Sequence, residues 1–145
     1  MTPERRELLD SLASEILHNY ARGRRLVGVD GAEAERTAAF ADDLAAALRT
    51  AGAEASRSLF GGAEGFRERV VLPFRAGEGD ALLVVDGPLL ATTATEFFAT
   101  TLWLDADGTG IGSGGVRTRA DAIVDLHDPD RPVRRYSDWC VVPRR

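Results

Sequence analysis

The chain contains no lysine. All 18 of its basic residues are arginine, 23 residues are acidic, and the formal net charge is −5. The absence of lysine excludes every reaction mechanism that needs a lysine ammonium group. The negative balance argues against a nucleic-acid partner, because such proteins carry a basic surface.

Cysteine and long apolar runs are also scarce. The single cysteine, Cys140, cannot form an internal disulfide, which is the pattern expected of a protein from a reducing compartment. No apolar run approaches the roughly 20 residues of a membrane-spanning helix, and the N-terminal residues lack the apolar core of a signal peptide. We therefore expect a cytoplasmic protein with no membrane association.

The length and the apolar patterning predict one α/β domain. A chain of 145 residues can bury a single core, so we expect one domain over 1–145, with a helix in 1–22 packed on it. Helices are predicted over Pro3–Tyr20, Ala38–Thr50 and Thr92–Thr100. Strands or extended segments are predicted over Arg24–Val29, Ala53–Leu59, Val70–Leu72, Thr100–Ala106, Ala120–Leu126 and Arg134–Val142. A further strand is predicted for the apolar run that begins at Ala81 and ends at Asp86-Gly87. This alternation favours a mostly parallel sheet.

A candidate phosphate-binding loop, Gly31–Thr37, lies between the first strand and the second helix. The pattern for such a loop is G-x-x-x-x-G-K-[ST], with glycines that aim backbone N–H groups at phosphate oxygens. Thr37 is assigned to the hydroxyl position, Arg36 to the lysine position and Glu35 to the preceding glycine. A carboxylate about 4 Å from a phosphate charge would repel it by roughly 4 kcal/mol. We interpret Gly31, Glu35, Arg36 and Thr37 as a vestigial phosphate loop.

A candidate metal ligand, Asp86, ends the apolar run Leu82-Leu83-Val84-Val85. Phosphate-binding domains place a carboxylate there to support Mg²⁺, so Thr37 and Asp86 are the predicted magnesium ligands if a nucleotide binds. The alternative is that Asp86 and Gly87 simply form a turn.

The glycine-rich segment Asp105–Arg119 is a third candidate. Its glycines could form an anion nest beside Arg117 and Arg119. The segment lacks the strand-to-helix context of a dinucleotide fingerprint, so the alternative is a shortened loop.

Taken in order, these segments resemble the uridine kinase-like P-loop kinases of the nucleoside kinase group. Their first unit follows V-x-V-D-G-x-x-G-x-G-K-T-x-x-A-x-x-L-A-x-x-L, and the segments around Asp86, Trp103 and Val124 are similar to the later core strands. The match to the first unit runs through Val29, Asp30, Gly31, Thr37, Ala41, Leu44, Ala45 and Leu48. The resemblance implies a three-layer P-loop NTPase-like domain; Mg-ATP and a hydroxyl-bearing acceptor are the substrates in that family.

The chain departs from the family at the residues that carry the chemistry. Arg36 replaces the lysine and Glu35 replaces a loop glycine. The aspartate that follows the family's second strand and deprotonates the acceptor has no counterpart; Glu64 is the nearest acid. The substrate-binding insertion is largely absent and the lid is reduced to the glycine-rich segment.

The first functional hypothesis is a catalytically impaired pseudokinase with a binding or regulatory role and no cofactor, in which Glu33 or Glu35 occupies the former phosphate site. The second is an active, Mg-ATP-dependent nucleoside or small-molecule kinase that uses Arg36, Thr37 and Asp86. The third is a plain interaction or assembly module whose C-terminal segment contacts a protein partner or a second copy.

Overall fold

The computed structural model describes residues 1–106 and 120–135. Its helices are α1 (Pro3–Tyr20), α2 (Ala34–Thr50), α3 (Leu72–Arg75) and α4 (Leu90–Thr93). A π-helical turn (Arg67–Val71) precedes α3, and a 3₁₀ turn (Thr95–Phe97) follows α4. Its strands are β1 (Arg24–Gly31), β2 (Ala55–Leu59), β3 (Ala81–Asp86), β4 (Thr100–Asp105), β5 (Ala122–Asp125) and β6 (Val133–Arg135).

The strands form one six-stranded sheet in the order β2-β3-β1-β4-β5-β6. The first five strands in this order are parallel, and β6 is antiparallel to β5. β3 is buried along its whole length, as expected for a central parallel strand covered on both faces. The predicted mostly parallel sheet is confirmed.

Two apolar cores lie on the two faces of the sheet. On one face α1 and α2 pack against the strands through residues such as Leu12, Leu44 and Val27. On the other face the segment 60–75 and α4 contribute Phe66 and Leu90. The molecule therefore has the predicted three layers.

The N-terminal helix is capped at its start and is paired there with α2. Thr2 caps α1 by accepting a hydrogen bond from the backbone N–H of Arg5 at 3.2 Å, and Pro3 occupies the first turn, where a missing N–H is tolerated. The guanidinium of Arg5 pairs with Asp43 of α2 at 3.0 Å. No helix in residues 1–106 or 120–135 has the length and apolarity that a membrane crossing needs.

The predicted extended segment Val70–Leu72 is wrong, because these residues are helical. A short apolar run cannot by itself distinguish a strand from a helix. Val71 is buried against the core while its neighbours are exposed or half-buried, so only one of the three apolar side chains is fully covered.

The observed ends of several elements also differ from the predicted ones. α2 begins at Ala34 instead of Ala38, and β1 runs to Gly31 instead of Val29. The single helix predicted over Thr92–Thr100 is replaced by α4 and the 3₁₀ turn. The glycine-rich candidate anion nest beyond Ala106 and the C-terminal segment from Tyr136 onward lie outside the described residues.

Candidate functional site

The candidate site lies at the carboxyl ends of the parallel strands. In open α/β sheets, ligands bind at this edge where neighbouring strands lead to opposite faces, and β1 lies between β3 and β4. Four strands end in or beside a buried aspartate at this edge: Asp30, Asp86, Asp105 and Asp125. The structure thus brings the loop after Gly31 and the carboxylate of Asp86 to the same edge.

The loop between β1 and α2 is very short. β1 ends at Gly31 and α2 begins at Ala34, so only two residues connect them. Gly31 and the six residues after it all have negative φ, whereas a nest of N–H groups needs residues in the left-handed region. The N–H of Thr37 donates to the carbonyl of Glu33 at 2.9 Å, as an ordinary helical bond.

The hydroxyl of Thr37 is also committed to the protein. It donates to the carbonyl oxygen of Glu33 at 2.8 Å, and Thr37 is only 2% exposed. A Cβ added to Gly31 would lie 2.4 Å from this hydroxyl oxygen. The space between the end of β1 and the first turn of α2 is therefore filled by Thr37 itself.

The number of residues between Gly31 and Thr37 also differs from that of the phosphate-loop pattern. Seven positions separate the first glycine from the hydroxyl residue in G-x-x-x-x-G-K-[ST], but only six separate Gly31 from Thr37. Counted strictly from Gly31, Arg36 falls on the second glycine, Thr37 on the lysine and Ala38 on the hydroxyl. In the first register Glu35 and Arg36 replace the second glycine and the lysine, and in the strict register none of the second glycine, lysine and hydroxyl positions matches.

The charged residues of the loop lie on the surface. The Nε of Arg36 pairs with a carboxylate oxygen of Glu33 at 3.0 Å, and these side chains are 46% and 53% exposed. Glu33 is the N-cap residue of α2, but its side chain makes no capping bond and so does not accept the helix N–H groups. Glu35 is exposed in the first turn, where the helix dipole favours a negative charge.

Asp86 is held by an arginine that the sequence interpretation missed. Arg57 of β2 donates from Nε to one carboxylate oxygen of Asp86 at 2.7 Å and from a terminal nitrogen to the other at 2.9 Å. A second terminal nitrogen of Arg57 lies 3.6 Å from a carboxylate oxygen of Asp42 on α2. The hydrogen bond to Asp86 raises the pKa of Arg57 above its ordinary value. Asp86 is therefore paired with a fixed positive charge.

Asp30 organises the turn that follows β3. Its two carboxylate oxygens accept hydrogen bonds from the N–H of Leu89 at 2.9 Å and of Ala91 at 3.1 Å. Burial raises the pKa of Asp30, although the backbone bonds from Ala91, Leu89 and Gly31 partly offset this effect. The resemblance included Asp30 as a matched position but did not indicate this role.

At the outer side of the site, Asp125 is held in its charged form. Burial alone would raise the pKa of Asp125, but the N–H of His127 and the guanidinium of Arg135, at 2.8 Å, outweigh it and lower that pKa. Its carboxylate thus fastens the edge strand β6 to β5.

Two buried phenylalanines flank the region after β2, where the resemblance places a catalytic aspartate. Phe60 is buried and meets Phe66 edge-on, with ring centroids 4.9 Å apart. Glu64 is exposed, and its backbone carbonyl accepts a hydrogen bond from Arg69 at 3.1 Å. Across residues 1–106 and 120–135 no three His, Cys, Asp or Glu side chains are grouped so that they could hold a metal ion.

Comparison with known proteins identifies the fold. No family model and no curated protein matches the chain. A solved structure of a possible uridine kinase from Bacillus stearothermophilus is similar at TM-score 0.58 and 16% identity, over 69% of this chain and 80% of that one. A candidate fructose transport system kinase from Silicibacter sp. TM1040 is similar at TM-score 0.56 and 17% identity, over 67% and 74%. The described residues therefore have the predicted P-loop kinase-like fold.

Proposed function

We propose that this protein is a shortened, catalytically impaired relative of the uridine kinase-like P-loop kinases, a cytoplasmic protein that acts by binding or regulation. The observation that carries the proposal is the closed loop after β1. The hydroxyl of Thr37 donates to Glu33 at 2.8 Å and lies against Gly31, so that the protein fills the space in which a cradle would receive a phosphate.

The chemistry of phosphoryl transfer explains why this closure matters. Catalysis of this reaction depends almost entirely on positioning and on stabilisation of the phosphate charges. Here the loop presents no positive-φ nest, the chain has no lysine, and the side chain of Arg36 is engaged by Glu33.

Mg-ATP does not fit the residues at this edge. The predicted magnesium ligands are Thr37 and Asp86; the first donates its hydroxyl proton to Glu33 and the second is paired with Arg57 at 2.7 Å. We therefore derive no catalytic step through Mg-ATP.

Calorimetric titration of the full chain with Mg-ATP and Mg-GTP tests the proposal. We expect no binding heat and no change in Tm with either nucleotide. A ligand present at 100 times its Kd stabilises a protein by about 2.7 kcal/mol, so a Tm rise of several degrees would contradict the proposal. Turnover of a hydroxyl acceptor that disappears in Thr37→Ala and in Asp86→Asn would establish the active kinase instead.

The binding role predicts an association that does not depend on nucleotide. Sedimentation velocity of the full chain, with and without Mg-ATP, measures self-association directly. A chain truncated after Ser137 tests whether the C-terminal segment mediates it. Self-association that required Mg-ATP would contradict a nucleotide-independent role.

A further inference from the structure

An open groove lies between α1 and the amino-terminal ends of β4 and β5. It has a volume of about 320 Å³. Its apolar lining comes from two turns of α1 and from the two strands: Leu12, Ile16, Leu102 and Ala122. Polar side chains line it as well, among them Asn19, Thr100 and Asp121. An apolar lining with polar groups beside it suits an aromatic side chain that carries a hydroxyl.

The edge strand β6 runs towards this groove. β6 is antiparallel to β5, and its last residue, Arg135, lies opposite Ile123. The next residue towards the amino-terminal end of β5 is Ala122, which lines the groove. The chain beyond Arg135 therefore starts at the edge of the groove.

The two arginines at the end of β6 show which face of the strand meets the groove. Side chains two positions apart lie on the same face of a strand, and neighbouring ones lie on opposite faces. Arg134 points to the α1 face, where its guanidinium bonds both carboxylate oxygens of Glu15, and it lines the groove itself. Arg135 points to the other face and pairs with Asp125 at 2.8 Å.

We propose that this groove is the docking site of the segment that follows β6, residues 136–145, and that Tyr136 anchors the segment there. The sequence pattern predicts a strand over Arg134–Val142, which continues beyond the end of β6. Continuation of the register by one residue puts Tyr136 opposite Ala122 and on the groove face. Its ring then covers the apolar lining, and its hydroxyl meets the polar groups beside it.

The position of Tyr136 in the chain favours this occupant over a partner. Tyr136 follows Arg135 directly, so the tether holds its ring at the groove at a high effective concentration, which a free partner lacks. The docked segment is an internal part of the domain, and the groove is then closed to other proteins. This inference does not rest on the proposed function, because it holds whether or not the protein binds nucleotide.

Nuclear Overhauser effects in the full-length native protein test the docking. The chain has two tyrosines, Tyr20 and Tyr136, so comparison with Tyr136→Phe assigns the ring signals. We expect contacts between the ring of Tyr136 and the methyl groups of Ile16 and Ala122, within one chain. Absence of these contacts would overturn the inference. Contacts seen only between differently labelled chains in a mixed sample would overturn it in favour of a second copy.

Tyr136→Ala and Ser137→Ala form a matched pair, because neighbouring side chains of a strand lie on opposite faces. We expect Tyr136→Ala to lower Tm by at least about 4 °C, through the loss of a buried aromatic side chain, and Ser137→Ala by less than about 1 °C. Tyr136→Phe keeps the ring and loses the hydroxyl, so its Tm should lie between those of Tyr136→Ala and the native protein.

Equal Tm values of Tyr136→Ala and Ser137→Ala would contradict the docking. If Tyr136→Ala does not fold, the Overhauser effects of the native protein decide the question. Binding of Mg-ATP would refute the proposed function but not this inference, so the two failures are distinguishable.

Discussion

The buried carboxylate of Asp30 accepts a hydrogen bond at 2.9 Å from the N–H of Leu89, and Leu89 has φ 64°. Among the described residues, Leu89 is the one non-glycine residue with positive φ. A branched side chain in this region is strained, and such strain persists only where the surroundings impose it. Asp30 also bonds Ala91, so one carboxylate holds the turn that joins β3 to α4.

The folded-state pKa values of Asp30 and Asp125 are shifted in opposite directions. Burial raises the folded-state pKa of Asp30 above 3.8, whereas His127 and Arg135 lower the pKa of Asp125 below it. Above pH 3.8 the contribution of Asp30 to stability therefore falls as the pH rises through its folded-state pKa. The contribution of Asp125 is present above pH 3.8 and is lost as the pH falls through its folded-state pKa.

Carboxyl ¹³C chemical shifts from pH 2 to pH 7 check these directions. We expect the midpoint of Asp30 above 3.8 and that of Asp125 below 3.8. Asp125 is thus the internal control for Asp30, and the reverse order of the two midpoints would contradict the prediction.

Because Leu89 has a strained backbone, we predict that asparagine destabilises the protein less at this position than at an unstrained one. Leu89 is 44% exposed and Leu72 is 42% exposed, but Leu72 has an ordinary helical φ of −65°. Because asparagine tolerates the left-handed region, we expect Leu89→Asn to be at least about 1 kcal/mol more stable than Leu72→Asn, by urea denaturation. Equal free energies of unfolding would show that the turn is unstrained.

The closed loop predicts that Gly31 does not accept a side chain. The Cβ of Gly31→Ala would lie 2.4 Å from the Thr37 hydroxyl oxygen, and we expect a loss of about 2 kcal/mol from this overpacking. Thr37→Ala removes that oxygen and leaves the Cβ of Leu104, at 3.4 Å, as the next contact.

Gly31→Ala should therefore cost less than about 1 kcal/mol in the Thr37→Ala background, since φ at Gly31 is negative. A double-mutant cycle by chemical denaturation measures the coupling. Additive effects of the two substitutions would indicate that the loop is open.

The Arg57–Asp86 pair predicts a strong coupling between two long-range partners. Removing one partner of a buried ion pair commonly costs about 3 kcal/mol, because the other charge stays buried without compensation. We expect Arg57→Ala, which leaves the Asp86 side chain only 3% exposed and unpaired, to lose stability on this scale, and the cycle with Asp86→Ala to show a coupling above about 1 kcal/mol.

Arg36 and Glu33 form the matched control pair, because both side chains are about half exposed. Exposed pairs on one helix contribute about 0.3–0.5 kcal/mol, so their coupling should be much smaller. Similar couplings in the two cycles, measured by urea denaturation, would contradict the burial argument.

Local sequence patterns were sufficient to predict a helix or strand where that segment buries a continuous apolar face. The apolar runs of β1, β3 and β4 and the helical pattern over Ala38–Thr50 predicted the elements that build the core. The start of α2 was predicted one turn late, because Ala34–Thr37 was assigned to a loop motif. Alanine, glutamate and arginine are helix formers, and their propensity indicates the observed helical turn.

The functional edge depends on contacts that local patterns do not contain. Asp30 meets Leu89 across 59 positions of the chain, and Arg57 meets Asp86 across 29. Neither pair follows from spacing, because each contact requires both the order of the strands and their register.

The sequence by itself determined the main helices and strands of the core and the absence of a lysine for phosphate binding. The spacing of apolar residues is a local property of the sequence, and composition does not depend on the structure. Only the tertiary structure decided that Thr37 closes the loop and that Arg57 holds Asp86. Those outcomes depend on which strands become neighbours, because a guanidinium pairs with whichever carboxylate the sheet brings within hydrogen-bond distance.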